Sequence, residues 1–234
     1  MSPKLTARLA GACEMLEGAT SAYGQVAIQG QLVRFDNAAV TAANIMSHSR
    51  LVWFGGALSV AGVLFHIAWA FLMYQVLKPV NRPLATLAGF VIVVGCAVQA
   101  VTAVLYVAPL LILQAGGTLG AFTVPQLQDL ALVFLNLNNA AFDTYLAFFG
   151  LWCVLTGILI FKSTFLPRIL GVLVTISGLG WMMFLLPPLA HRMFPFIAAA
   201  SAIGELPLQL WLLIMGVNAQ RWHEQARVAA PAIT

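Results

Sequence analysis

Four carboxylic acids and one histidine stand where nearly every neighbouring residue is apolar: Glu14, Glu17, Asp143 and Glu205, with His66. A carboxyl group kept protonated by apolar surroundings can act as a general acid, and a second carboxylate can take the proton back or steady a developing cation. That pairing suits isomerisation or cyclisation of a lipophilic substrate such as a terpenoid, a sterol or an epoxide. It needs no cofactor. The assignment read from the sequence makes Glu14 and Glu17 the acid–base pair, Asp143 and Glu205 their partners, and His66 the residue that orients them. Ser21, Gln25, Gln99, Tyr106, Asn136 and Asn139 supply polar contacts to a substrate. Trp69, one helical turn from His66, supplies an aromatic wall of the kind that stabilises cations.

Two other functions use the same residues. A proton-coupled carrier, or a sensor or accessory subunit holding a lipophilic ligand, would bind at the same acids without turnover. A purely structural protein would use its polar groups to fix helix packing. No metal site is expected. His48 and His191 are expected near the outer surface and His223 in the cytoplasmic tail, so three histidines cannot easily meet. A divalent metal among Glu14, Glu17, Asp143, Glu205 and His66 is conceivable, but no HExxH or ExxH spacing supports it. Cys13, Cys96 and Cys153 sit in apolar runs without a CxxC pair and read as buried free thiols.

The elements that carry these residues follow from composition. Of 234 residues, 62% are hydrophobic and 8% charged, against about 25% charged in soluble domains. So few charges cannot cover a water-facing surface. The chain therefore reads as an all-α polytopic membrane protein, a bundle of six transmembrane helices forming a single transmembrane domain over residues 1–234. The spans are expected near 7–29, 51–77, 84–113, 126–161, 167–190 and 195–219, with Thr123 capping the fourth and Pro125 in its first turn. The weakest is the first. Counting it as a span puts Lys4, Arg8, Lys78, Arg82, Lys162, Arg168, Arg221 and Arg227 on one side and only Arg34, Arg50 and Arg192 on the other. That asymmetry places both termini in the cytoplasm. The N-terminal residues lack the pattern of a cleaved signal peptide. The expected partners are the lipid bilayer and a lipophilic small molecule; the small net charge of +4 argues against nucleic acid, and a homo-oligomer is left open.

On this layout Glu14, Glu17, His66, Gln99, Asp143 and Glu205 fall near one depth, the bilayer midplane. Each helix then carries one polar stripe at helical spacing: Glu14, Glu17, Ser21 and Gln25; Ser59, His66 and Met73; Gln99, Thr102 and Tyr106; Asp129, Asn136, Asn139 and Asp143; Ser201, Glu205 and Gln209. Asn138 falls off its stripe and reads as a helix-contact residue, and Trp53, Trp181, Trp211 and Trp222 read as belt or packing residues. A charged residue at a helix centre costs about 2.5–3.5 kcal/mol, so four acids would cost about 10–14 kcal/mol if ionised and unpaired. A polar contact between membrane helices returns only about 0.6 kcal/mol on average. That imbalance favours a functional cluster over a structural one. Pro207 removes the hydrogen bond to the carbonyl of Ile203 beside Glu205. It is either a kink that lines a cavity or a packing kink.

From residue 36 onward the segments "DNAAVTAANI", "LKPVNRPLA", "PQLQDLALVFLNL", "FFGLWCVLTGILIFKS", "LPRILGVLV" and "IGELPLQLWLLIMG" resemble the domain of unknown function 4386 family, uncharacterised bacterial membrane proteins of six helices. The resemblance implies the six-helix architecture and the inner (cytoplasmic) membrane. It implies no activity. Glu205 matches the family's glutamate. Glu14 and Glu17 replace an ordinary apolar first helix, His66 stands where many members have an aspartate, Asn136 and Asn138 stand where an aspartate and a histidine are common, and Asp143 replaces an apolar residue.

Overall fold

The computed structural model describes residues 1–117 and 120–229. All regular structure among them is helical: α1 (Pro3–Ser21), a π-helical segment (Ala22–Ile28), α2 (Gln29–Leu32), α3 (Ala38–Ser47), α4 (Ser49–Leu77), α5 (Arg82–Gln114), α6 (Val124–Lys162), α7 (Arg168–Trp181), α8 (Pro187–Ile214) and α9 (Ala219–Ala229), with short 3₁₀ turns after α5 and α7. Five helices are long and apolar enough to cross a membrane: Ser49–Leu77, Arg82–Gln114, Val124–Lys162, Arg168–Leu185 and Pro187–Ile214. Large apolar side chains such as Phe71, Phe90, Val104 and Phe196 point outward from them. In a water-soluble protein such a surface would be an aggregation hazard. Against lipid it is the expected exterior, and this is a membrane protein.

Helix ends follow local chemistry. Asn37 caps α3 by accepting a hydrogen bond from the Val40 amide, and the Thr41 hydroxyl bridges the amide and carbonyl of Arg34. This helix lies in a stretch without an expected element, because its signal is the cap rather than a long apolar run. At α6 the Thr123 amide donates to Gln126 Oε1 at 2.8 Å, the returning half of a capping box. The break between the last two membrane-length helices falls at Leu186, not at residues 191–194 as hydropathy suggests. Pro187 and Pro188 are best tolerated in a first turn, where neither needs an amide hydrogen, and they start α8 there. Pro195 and Pro207 are both inside α8. Gly216 ends the helical run with φ +68°, its amide donating to the Trp211 carbonyl.

The chain divides into two compact units. One comprises Met1–Met15, Phe65–Cys96 and the chain from Asp143 on; the other comprises Leu16–Leu64 and Ala97–Phe142. The divisions fall inside α1, α4, α5 and α6, each of which contributes to both. In the second unit Ile28, Leu32, Ile45, Val52, Tyr106, Leu110 and Leu135 form a buried core.

The first unit is organised by glycines. A Cβ on Gly150 would lie 2.7 Å from the Gly178 carbonyl oxygen, and one on Gly178 would lie 2.6 Å from that of Gly150. Gly157 and Gly171 repeat the reciprocal contact at 2.7 and 2.6 Å. The two pairs are seven residues apart on each helix, so α6 and α7 meet backbone to backbone over two turns. This is the small-residue packing that substitutes for hydrophobic attraction in membranes. Gly204 brings α8 equally close, since a Cβ there would lie 2.6 Å from the Leu173 carbonyl oxygen. Gly178→Leu would push α6 and α7 apart. We expect it to lower the thermal midpoint of the detergent-purified protein by an amount corresponding to about 1–3 kcal/mol, the usual cost of overpacking. The same change at Gly18, whose added Cβ meets nothing, should stay within about 0.5 kcal/mol.

Candidate functional site

The close approach of α8 to α7 puts Glu205 beside two donors on α7. Ser177 Oγ donates to Glu205 Oε1, and Trp181 Nε1 donates to the same oxygen at 2.7 Å. Ser201 Oγ, one turn back on α8, donates to it at 2.9 Å. One carboxyl oxygen thus receives three hydrogen bonds. Trp181, read from sequence as a belt or packing residue, is one of the three donors. Glu14, 3% exposed on α1, belongs to the same unit.

Trp181 also joins Glu205 to an aromatic cluster. Its ring lies 6.3 Å from that of Phe149. Phe149 stacks on Tyr145 and on Trp152, each at 6.0 Å. Tyr145, Phe149 and Trp152 share one face of α6 at spacings of four and three. Opposite them His66 is fully buried. Its ring is 5.0 Å from Trp69, 5.7 Å from Tyr145 and 5.9 Å from Phe149. The His66 Nδ1 and the Tyr145 hydroxyl are hydrogen-bonded at 3.2 Å. Trp69 and Trp152 meet edge to face at 4.5 Å. The indole N–H of Trp69 is buried without a hydrogen-bond acceptor among the described residues. Asp143 pairs with His191 at 3.1 Å; the Asp143 side chain is 14% exposed and that of His191 59%.

The second unit holds a separate polar network. Glu17 Oε1 accepts from Ser21 Oγ at 2.9 Å and from Gln99 Nε2 at 3.0 Å. Asn138 accepts from Gln29 Nε2 at 3.1 Å and donates to the Thr102 carbonyl at 2.7 Å, tying α2, α5 and α6 together. The Tyr106 hydroxyl donates to the Gly24 carbonyl in the π-helical segment at 3.3 Å.

The residues read as one midplane set therefore lie in two units. Glu14, His66, Trp69, Asp143 and Glu205 belong to the first, and Glu17, Ser21, Gln25, Gln99, Tyr106, Asn136 and Asn139 to the second. Asn136 is exposed and donates to the Leu132 carbonyl of its own helix, Asn139 and Gln25 are partly buried, and Asp129 is exposed. It is Asn138, off the stripe, that is fully buried. Polar residues at ideal helical spacing define a stripe but do not tell which face of the helix is turned inward. Tyr145, Phe149 and Trp152 were missed. Their spacing was visible, but aromatic stripes in a membrane helix ordinarily face lipid. Among the described residues no three His, Cys, Asp or Glu side chains are grouped to hold a metal ion.

Residues 9–216 match the family described as Domain of unknown function (DUF4386). The matched stretch takes in α1 from residue 9, which the resembling segments did not reach. No curated protein and no solved structure matches the chain.

The two asparagines give a direct check on the second network. Asn138→Ala leaves the Thr102 carbonyl and the Gln29 amide without their partner, and should destabilise the purified protein by about 1–3 kcal/mol in thermal or denaturant unfolding. Asn136→Ala should change it by less than about 0.5 kcal/mol.

Proposed function

We propose, for this chain that belongs to the domain of unknown function 4386 family, a function argued from its own site: acid–base isomerisation or cyclisation of a lipophilic substrate within the membrane. The observation that carries the reading is the convergence of Ser177, Trp181 and Ser201 on one oxygen of Glu205, in a unit that also holds Glu14 and an aromatic cluster. The structure moves the emphasis of the pair. Glu17 belongs to the other unit, so the proposed pair is Glu14 and Glu205, which belong to one unit.

In this reading Glu14 donates its proton to an alkene carbon or to an epoxide oxygen, and the substrate becomes a carbocation. The Phe149 and Trp181 faces stabilise it through their quadrupoles. Glu205, fixed by its three donors, accepts a proton from a carbon adjacent to the cationic centre, and the double bond forms there. Proton transfer from Glu205 back to Glu14 resets the pair. The product is an isomer of the substrate, with no electrons gained or lost. His66 and Tyr145 hold the aromatic wall in place.

The membrane setting of the proposal has six spans, α1 being the first, with both termini cytoplasmic in a bacterial inner membrane. Two observations support it. The path is helical from Pro3 through the π-helical segment to Leu32. The start of α1 also meets the end of α8, where Arg8 donates to the Ile214 carbonyl at 2.7 Å, so the basic residues of both termini share one end. A second reading, a proton-coupled carrier, draws on the π-helical segment after Glu17, since such irregular turns recur at functional sites.

The test uses the full-length protein in lipid nanodiscs with squalene epoxide or farnesol in deuterated buffer, with products separated by mass. An isomerase incorporates deuterium into the product. Glu205→Gln and Glu14→Gln should each lower turnover by about 100-fold or more, while Glu17→Gln should leave it within about threefold. Equal turnover in all three variants would sink the assignment. Proton uptake by proteoliposomes coupled to substrate entry, without product, would favour the carrier.

A further inference from the structure

One end of the first unit carries a groove that the acid–base site does not use. Its floor is the turn between α4 and α5, and its wall is α9. Trp222 Nε1 donates to the Val76 carbonyl at 2.8 Å, which docks α9 against that turn. The space between them is about 620 Å³ and is lined by Tyr74, Lys78, Asn81, Arg82, Trp222 and Ala226 among others. That is the volume of a ligand site, and its lining is polar and cationic with no carboxylate in it. Lys78 donates to Gln75 Oε1 and lies 6.0 Å from the Tyr74 ring. Neither Lys78 nor Arg82 has a carboxylate partner among the described residues. Lys78 and Arg82 thus line one groove, and no carboxylate lines it with them.

We propose that this groove binds the phosphate headgroup of an anionic phospholipid. Three observations select that occupant. The two cations are complementary to a phosphodiester, and Arg82 presents the planar fork that matches phosphate. They stand at the junction of two membrane-length helices, α4 ending at Leu77 and α5 beginning at Arg82, which is headgroup level. Tyr74 and Trp222 flank them, and aromatic residues of this type favour the interface. The remaining wall is apolar (Val80, Pro83, Ala226, Ala229) and suits the first carbons of an acyl chain. α9 completes the picture: it is strongly amphipathic in sequence, with no buried residue, and lies where such a helix rests on a bilayer surface. This inference does not depend on the acid–base reading, because it uses none of the same residues.

The test measures binding of a fluorescent phosphatidylglycerol to the full-length protein in neutral detergent micelles, with phosphatidylcholine and inorganic phosphate as competitors. Phosphatidylglycerol should bind preferentially, and that preference should weaken as salt rises. Lys78→Gln with Arg82→Gln should reduce affinity roughly ten- to thirtyfold, on the scale of one juxtamembrane cation each. The charge-preserving pair Lys78→Arg with Arg82→Lys should retain most of it, and Arg34→Gln with Arg50→Gln should not change it. Equal binding of phosphatidylcholine, or a preference indifferent to salt in the unaltered protein, would overturn the proposal. Displacement by millimolar inorganic phosphate alone would overturn the lipid assignment in favour of a soluble anion.

Discussion

The first unit depends on the absence of side chains at five positions. Gly150, Gly157, Gly171, Gly178 and Gly204 let the backbones of α6, α7 and α8 approach until a Cβ would collide with a carbonyl. In lipid, burying apolar surface gains little, so close packing must hold helices together. The same closeness has a chemical result. Ser177 and Trp181 are short or rigid side chains, and they reach Glu205 only because α7 and α8 are pressed together at Gly204. Packing and polar geometry are here one constraint.

The acids of the apolar helices, buried at Glu17 and half-buried at Glu205 and Asp143, are managed in different ways. Glu205 is surrounded by three donors on one oxygen, Glu17 by two, and Asp143 by a histidine that is mostly exposed. A lone acid in hydrocarbon costs several kcal/mol, and each arrangement offsets part of that cost with short-range bonds. The second unit uses neutral amides for the same purpose. Asn138 links two helices through both ends of its amide, so a single residue satisfies a side chain and a backbone carbonyl.

The membrane class, the five strongly apolar helices and the family were legible in the sequence because they rest on long-range averages of hydropathy and on conspicuous segments. Individual placements were less so. Leu186 as the break before α8 was hidden because the apolar run continues through it, and only the proline pair marks the turn. Asn138 and Asn136 differ by two positions yet point to opposite environments, and periodicity alone cannot say which direction is inward. Glu205 was identified from its depth in an apolar helix. Its donors on α7 were not, because the close approach that creates them is written in glycines that carry no polar signal.

The junction of Arg8 with the Ile214 carbonyl and of Gly11 with the backbone near Leu213 has a consequence for assembly. The first of these contacts joins residues 206 positions apart, so it cannot form until nearly the whole matched region has been synthesised. The helix bearing Glu14 is made well before α8 and must wait for this neighbour. Until α8 arrives, the Gly11 face of that helix meets water, headgroups or an insertion factor instead.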